Sequence, residues 1–257
     1  MNKHERHKAL HHFSNHAQRN SHLSDAVPAQ TVIVEDGSGH TTTYSSITAA
    51  LKSITNASPG NEYLVTIGPG TYNEQLTLVP YVYIKGSGPG TTIITSPAPV
   101  VTAVDNSSLS WCTIQTIPTD NPETMAVVVP GGVLNVSIGS CTISATGSGS
   151  IVGVEVANAS CAMNNCAVSV SGNGGDATAV RVEGGGLLEM SQSKLTATGS
   201  GQLQGGFSLD ESALNLNWCS ISATTAALFC DNTGATLVAR DCNISGPIIG
   251  PVELINE

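Results

Sequence analysis

Five stretches decide the fold: Val136-Ser137-Ile138-Gly139-Ser140-Cys141-Thr142-Ile143, Cys161-Ala162-Met163-Asn164-Asn165-Cys166-Ala167-Val168, Leu188-Glu189-Met190-Ser191-Gln192-Ser193-Lys194-Leu195, Leu214-Asn215-Leu216-Asn217-Trp218-Cys219-Ser220-Ile221 and Leu237-Val238-Ala239-Arg240-Asp241-Cys242-Asn243-Ile244. Each has two alternating apolar residues, a small residue, and then a further apolar–polar alternation. A sixth, weaker copy ends in Leu109-Ser110-Trp111-Cys112-Thr113-Ile114. The small marker falls at Cys112, Cys141, Cys166, Ser193, Cys219 and Cys242, in steps of 29, 25, 27, 26 and 23 residues. Self-similarity on such a period is the mark of a solenoid, whose units cannot bury their own apolar faces and must stack.

A second strand is expected after the marker in most copies, at 127–129, 152–156, 179–182, 207–209 and 228–230. Glycine-rich turns such as Gly172-Asn173-Gly174-Gly175 and Gly184-Gly185-Gly186 separate the strands. Period-2 strands on a repeat of about 25 residues describe the coils of a parallel β-helix, stacked about 4.8 Å apart. The fold expected is therefore all-β: a single parallel β-helix over residues 29–257. A short amphipathic helix at 45–55, with Ile47, Leu51 and Ile54 on one face, would cap its first coil.

Composition agrees with a narrow bore. Aromatic residues make up 4% of the 257 and charged residues 11%, where about 25% charged is usual. The apolar content argues against a disordered chain, and no run of about 20 apolar residues suggests membrane insertion. The marker cysteines read as an inward thiol ladder, because free cysteine packs as a small hydrophobe. Disulfides between neighbouring coils are the alternative. Zinc fits poorly: Cys161 and Cys166 lack the usual ligand spacing, and no histidine follows His40.

The formal net charge of −10 is unevenly placed. Residues 1–28 carry four basic and two acidic residues and six of the seven histidines, which leaves five basic and seventeen acidic residues beyond them. That acidity argues against nucleic acid as a partner. The leader reads as a flexible basic extension that could join subunits into a homo-oligomer. If it were helical, His7 with His11 and His12 with His16 would form two i,i+4 pairs, a weak metal site. It is polar with no apolar stretch after it, so it does not read as a secretory signal. Cytoplasmic residence, or export by another route, is the expectation.

The first third of the chain supplies a resemblance. The run Val34-Glu35-Asp36-Gly37-Ser38-Gly39, the helix, then Val65-Thr66-Ile67-Gly68-Pro69-Gly70-Thr71-Tyr72-Asn73-Glu74, and Ile84-Lys85-Gly86-Ser87-Gly88-Pro89-Gly90-Thr91-Thr92-Ile93-Ile94-Thr95 follow in order. Over residues 31–96 this resembles the opening of pectin methylesterases and the wider pectin-lyase-like superfamily. The resemblance implies a right-handed β-helix. For an esterase it would also imply two catalytic aspartates, supporting glutamines and an arginine. The repeat register puts Met125, Gly147, Ser148 and Asn173 at the matching glutamine and aspartate positions, and the arginine motif is missing. None of those four side chains does carboxylate chemistry, so the resemblance does not extend to the esterase site.

Outward positions give two candidate surfaces. If Val182, Leu209 and Cys230 point inward, then Glu183, Asp210 and Asp231 point outward in three consecutive coils, with Arg181 beside them and Glu155 one coil below. Such a ladder of carboxylates would raise pKa values or recruit Ca²⁺, and Arg181 would complete a catalytic set. The bland reading is that each acid precedes a turn and bonds locally. The other strand face offers a flat hydroxyl stripe, Ser144, Ser169, Thr196, Ser222 and Ser245, suited to docking a polysaccharide or a protein assembly. Trp111 and Trp218 precede marker cysteines and should point outward, but four coils lie between them, too far for one platform.

Three functions follow as expectations. The first is a non-catalytic β-helix module that binds polysaccharide or a protein assembly through its coil faces. The second is a Ca²⁺-assisted lyase or hydrolase acting on an acidic polysaccharide. The third is a structural β-helix of a phage-tail or spore-surface assembly.

Overall fold

A computed structural model describes residues 30–231 and 233–256. The His-rich leader at 1–28 lies outside the described residues. Among those residues the chain is a parallel β-solenoid of one 11-stranded and two 8-stranded sheets, and successive strands visit the three sheets in turn. One coil shows the plan: Val136–Gly139 lies in the first sheet, Thr142–Gly147 in the second and Ser150–Ala157 in the third. The same three places recur one coil on as Ser160–Asn164, Ala167–Gly172 and Ala177–Glu183.

Each coil thus has three strands, where the sequence reading distinguished two. Every marker segment proves to be two strands meeting at a two-residue corner, in which one residue precedes the small marker. That corner residue is left-handed in each copy: Trp111 (φ 57°), Ser140 (51°), Asn165 (53°), Gln192 (50°), Trp218 (51°) and Asp241 (48°). The left-handed residue turns the chain without breaking it, because its N–H still donates to the next coil. Ser140 N donates to Asn164 O at 2.9 Å, Asn165 N to Ser191 O at 3.0 Å and Gln192 N to Asn217 O at 3.0 Å.

Stacked apolar columns fill the interior. In the first sheet Leu109, Ile138, Met163, Met190, Leu216 and Ala239 lie in register, and in the second Ile94, Ile114, Ile143, Val168, Leu195 and Ile221. All are buried. Full burial of each large side chain contributes about 1.5–3 kcal/mol of transfer free energy. All seven cysteines are free, six of them buried. The expected ladder therefore exists as thiols: Cys112 and Cys141 lie 3.7 Å apart, sulfur to sulfur. Where serine replaces cysteine, Ser193 Oγ accepts from Cys166 N at 3.0 Å and donates to Ser191 O at 2.8 Å, so its buried hydroxyl is satisfied.

The first coil is closed as expected. The strand Val32–Glu35 pairs antiparallel with both Thr41–Tyr44 and Tyr63–Ile67, and the helix Ile47–Ser53 sits beside it with Ile47, Ala50 and Leu51 buried. Ser46 caps that helix by accepting from Ala49 N. Glu74 reaches across to take Ile47 N at 3.0 Å, Thr48 N at 2.7 Å and the Ser46 hydroxyl at 2.9 Å. Burial pushes the Glu74 carboxyl up, but these bonds outweigh it and hold the group below its ordinary value. Tyr72, two residues earlier, is buried and donates its hydroxyl to Gly68 O at 3.1 Å. The Tyr-x-Glu element of the opening motif is thus a structural clamp between helix and first coil.

Candidate functional site: a tryptophan-ended corner groove

The corner column carries an open groove. Because Trp111, Ser140, Asn165, Gln192 and Trp218 share one backbone conformation at one place in consecutive coils, their side chains leave the solenoid in the same direction. The two tryptophans are 49% and 65% exposed, while the residues between them are shorter and polar. The result is a saddle along the axis, a groove of about 500 Å³ lined by Trp111 and Trp218 together with Ser140, Asn165, Gln192 and Lys194. Gly86 makes the Trp111 end possible: a Cβ there would lie 2.3 Å from Trp111 O, so no other residue lets the corner pack this closely.

The tryptophans stand four coil steps apart, too far for one platform. They do not form a continuous aromatic surface. They close the two ends of one trough, and the intervening coils supply its floor.

That floor offers unused hydrogen-bonding groups. Asn165 Nδ2 donates to Ser140 Oγ at 3.2 Å and so is fixed. The Gln192 amide, the Lys194 ammonium and both indole N–H groups make no side-chain hydrogen bond among the described residues. Among the described residues Lys194 is the only charged side chain in the lining. Behind the floor lie Cys141, Cys166 and Ser193, the buried marker column.

The hydroxyl stripe adjoins this groove. Ser144, Ser169, Thr196, Ser222 and Ser245 pair in register as one column on the second sheet, and Ser169 and Ser245 are exposed. Thr142, Ala167, Lys194 and Ser220, two residues nearer the corner, form the neighbouring outward column and line the groove. Corner, groove wall and stripe are therefore one continuous surface.

The acidic residues are placed differently. In the third sheet Val182 pairs with Ser208, and Ser208 with Cys230. The residue of the middle coil that corresponds to Glu183 and Asp231 is thus Leu209, and Asp210 lies one place further on, at a left-handed corner with φ 50°. The structure does not bring Glu183, Asp210 and Asp231 into one ladder. Hydrophobicity points Leu209 inward, but Ser208 is the buried residue, because its hydroxyl meets Ser212 Oγ at 3.0 Å and Thr236 O at 3.2 Å. Asp210 and Asp231 are both bonded to Thr233: its N–H and hydroxyl donate to Asp231 at 3.2 and 2.6 Å, and it accepts from Asp210 N at 2.9 Å. Among the described residues no group of three or more His, Cys, Asp or Glu side chains is arranged to hold a metal ion.

Glu183 instead joins an ion cluster around Arg181. The guanidinium lies 2.9 Å from Glu123, 3.1 Å from Glu155 and 3.6 Å from Glu183. Glu155 stands opposite Arg181 in the neighbouring strand, and Phe207 and Phe229 continue the same outward column, their ring centroids 4.8 Å apart. Burial raises the Glu155 pKa, Glu183 adds to that, and Arg181 opposes it. One cation thus serves three carboxylates, and the arginine's charge is engaged within the protein.

What fold and surface define is a parallel β-helix whose exposed aromatic and polar groups converge on a corner groove. No family model matches the chain, and no curated protein matches it. Among solved structures it resembles the pectin methylesterase of Aspergillus niger, with 15% identity, TM-score 0.42, and 83% of this chain and 82% of that chain covered. The pectin methylesterase of Yersinia enterocolitica matches at 14% identity and TM-score 0.34, covering 77% and 80%. The ORF18 protein of Geobacillus virus E2 matches at 14% and 0.34, covering 83% of this chain and 57% of its own. At such identities and scores these are resemblances, and they carry nothing about activity.

Proposed function

We propose that this solenoid is a non-catalytic module that binds a polysaccharide chain in the corner groove and along the adjoining Ser/Thr face. The observation that carries the reading is the pair of exposed tryptophans at the two ends of one polar-floored trough. A sugar ring has an apolar face that stacks on an aromatic ring and a rim of hydroxyls that needs donors and acceptors. Trp111 and Trp218 meet the first need. Gln192, Lys194 and the hydroxyls of Ser144, Ser169, Thr196, Ser222 and Ser245 meet the second.

Backbone conformation supports the same reading. A bulky residue in the left-handed region is strained by about 1 kcal/mol or more, and such strain concentrates at functional positions. Ser140, Asn165 and Gln192 show that polar residues serve at this corner. Two tryptophans there, both well exposed, add little to the core in return.

The test is a glycan and polyuronate binding screen with and without Ca²⁺, paired with product analysis. Expected are reversible binding, loss of it in Trp111→Ala and Trp218→Ala, indifference to chelation, and intact glycan recovered. Cleavage products would overturn the reading, as would binding that survives both substitutions or capture of a protein partner with no glycan bound.

A further inference from the structure

The groove has a length and a period, and both constrain its ligand. The tryptophans stand at the first and last of five consecutive corner positions, so four coil steps separate them. At about 4.8 Å per step that is about 19 Å. A β-1,4-linked pyranose advances along its chain by nearly one such step. An extended chain laid parallel to the solenoid axis would therefore put one sugar beside each coil. An α-1,4-linked chain coils instead and loses step with the corners within a few sugars.

Ring orientation gives a second constraint. In an extended β-1,4 chain each sugar is turned over relative to the one before, so sugars an even number of steps apart show the same face. Trp111 and Trp218 leave their corners in the same direction and are four steps apart, an even number. Both can stack on equivalent faces of one flat ribbon. Charge gives a third. The described solenoid is strongly acidic, and among the described residues the groove lining holds a single cation, Lys194. A polyanion would be repelled over the approach and find one partner on arrival.

Building on the polysaccharide reading, we infer that the ligand is a neutral, β-1,4-linked glycan lying along the corner column, with five sugars spanning the two tryptophans. Neutral chains of this class include β-glucans, β-xylans and N-acetylated β-glucosaminans. The free amide of Gln192 and the Lys194 ammonium would bond the hydroxyl rims of the central sugars.

The two tryptophans are the only ones in the chain, so intrinsic fluorescence reports on the groove directly. Titrating the full-length protein with cello-, xylo- and chito-oligosaccharides, from disaccharide to heptasaccharide, reads out length. Affinity should rise about tenfold between the trisaccharide and the pentasaccharide, as the second ring is engaged, and then level off. Trp218→Phe should keep the step and Trp218→Ala should remove it. Binding of the neutral pentasaccharide should be insensitive to salt.

A tryptophan-dependent response with no length step, one stronger for malto-oligosaccharides, or a salt-sensitive one confined to oligogalacturonates overturns this inference but leaves polysaccharide binding standing. No response to any glycan, with both variants folded by circular dichroism, overturns both.

Discussion

The corner groove and the Arg181 face are both rich in side chains that chemistry uses, yet they differ in how those groups are spent. Around Arg181 one guanidinium faces three carboxylates and Glu155 is buried, so the charges are paired with one another, although Glu155 Oε2 and Arg181 Nε make no hydrogen bond. Along the groove the indoles, the Gln192 amide and the Lys194 ammonium are exposed and unbonded among the described residues. A buried charge cluster is costly to disturb and has little left to offer a ligand. An open row of unused donors between two rings contributes little to the core and is available. Charge pairing, more than residue type, separates the two faces.

The largest effect should come from breaking the charge-paired face. Arg181→Met leaves Glu155 buried beside Glu183 without a cation, which should cost about 3 kcal/mol at pH 7. Glu155 already has a raised pKa in the folded protein, and losing the arginine raises it further. A carboxyl with a raised folded pKa destabilises above its unfolded value and ceases to as it is protonated. The difference between variant and parent should therefore shrink as pH falls towards 4.5. Urea midpoints at both pH values read this, and glycan binding at pH 7 should be unchanged. A variant as stable as the parent at pH 7 would show that the cluster is not structural.

The groove should behave in the opposite way. Trp218→Asn puts a residue at ease with the left-handed region where a strained one stands, and should leave stability unchanged or raise it by about 1 kcal/mol. The same change should abolish the step in affinity at the pentasaccharide. A loss of more than about 1 kcal/mol would reassign Trp218 to packing.

The smallest effect concerns the thiol ladder beneath both. Cys242 is its half-buried member, and Cys219 N donates to its sulfur at 3.3 Å. Hydrogen bonding from the Cys219 side chain, aided by that N–H and opposed by burial, brings the Cys242 thiol down to about 7. Thiolate forms as pH rises through that value, so brief alkylation should label Cys242 first and increasingly between pH 6 and 8. Cys161, whose thiol burial pushes far up, should react only on unfolding. Mass spectrometry of the labelled peptides decides this, and uniform labelling would mean that the ladder is open.

Much of the fold was legible because burial writes itself into the period of the chain. The marker column, the capping helix and the Ser144–Ser245 stripe could be read from alternation alone. The corners could not be read as such, because one left-handed residue interrupts a strand without glycine or proline to announce it. A trace was present: inward Ile138 and inward Cys141 are three apart, so the alternation slips by one at Ser140. Reading that slip would have put Trp111 and Trp218 on a corner and shown that they share a surface. The Asp210 misplacement has a different origin. Hydropathy ranks Leu209 above Ser208 as an interior residue, whereas a hydroxyl with two partners inside is equally content there.

The left-handed corner also separates what the molecule is from what it meets. A corner residue must accept its backbone conformation and point away from the bore, and the coil asks little else of it. Five consecutive positions already carry five outward side chains of three chemical kinds on an undisturbed interior. A descendant gene could alter the groove one coil at a time by single codon changes, with the packed columns insulated from each trial. The solenoid is in that sense a keyboard: the frame is inherited, and the keys can be exchanged.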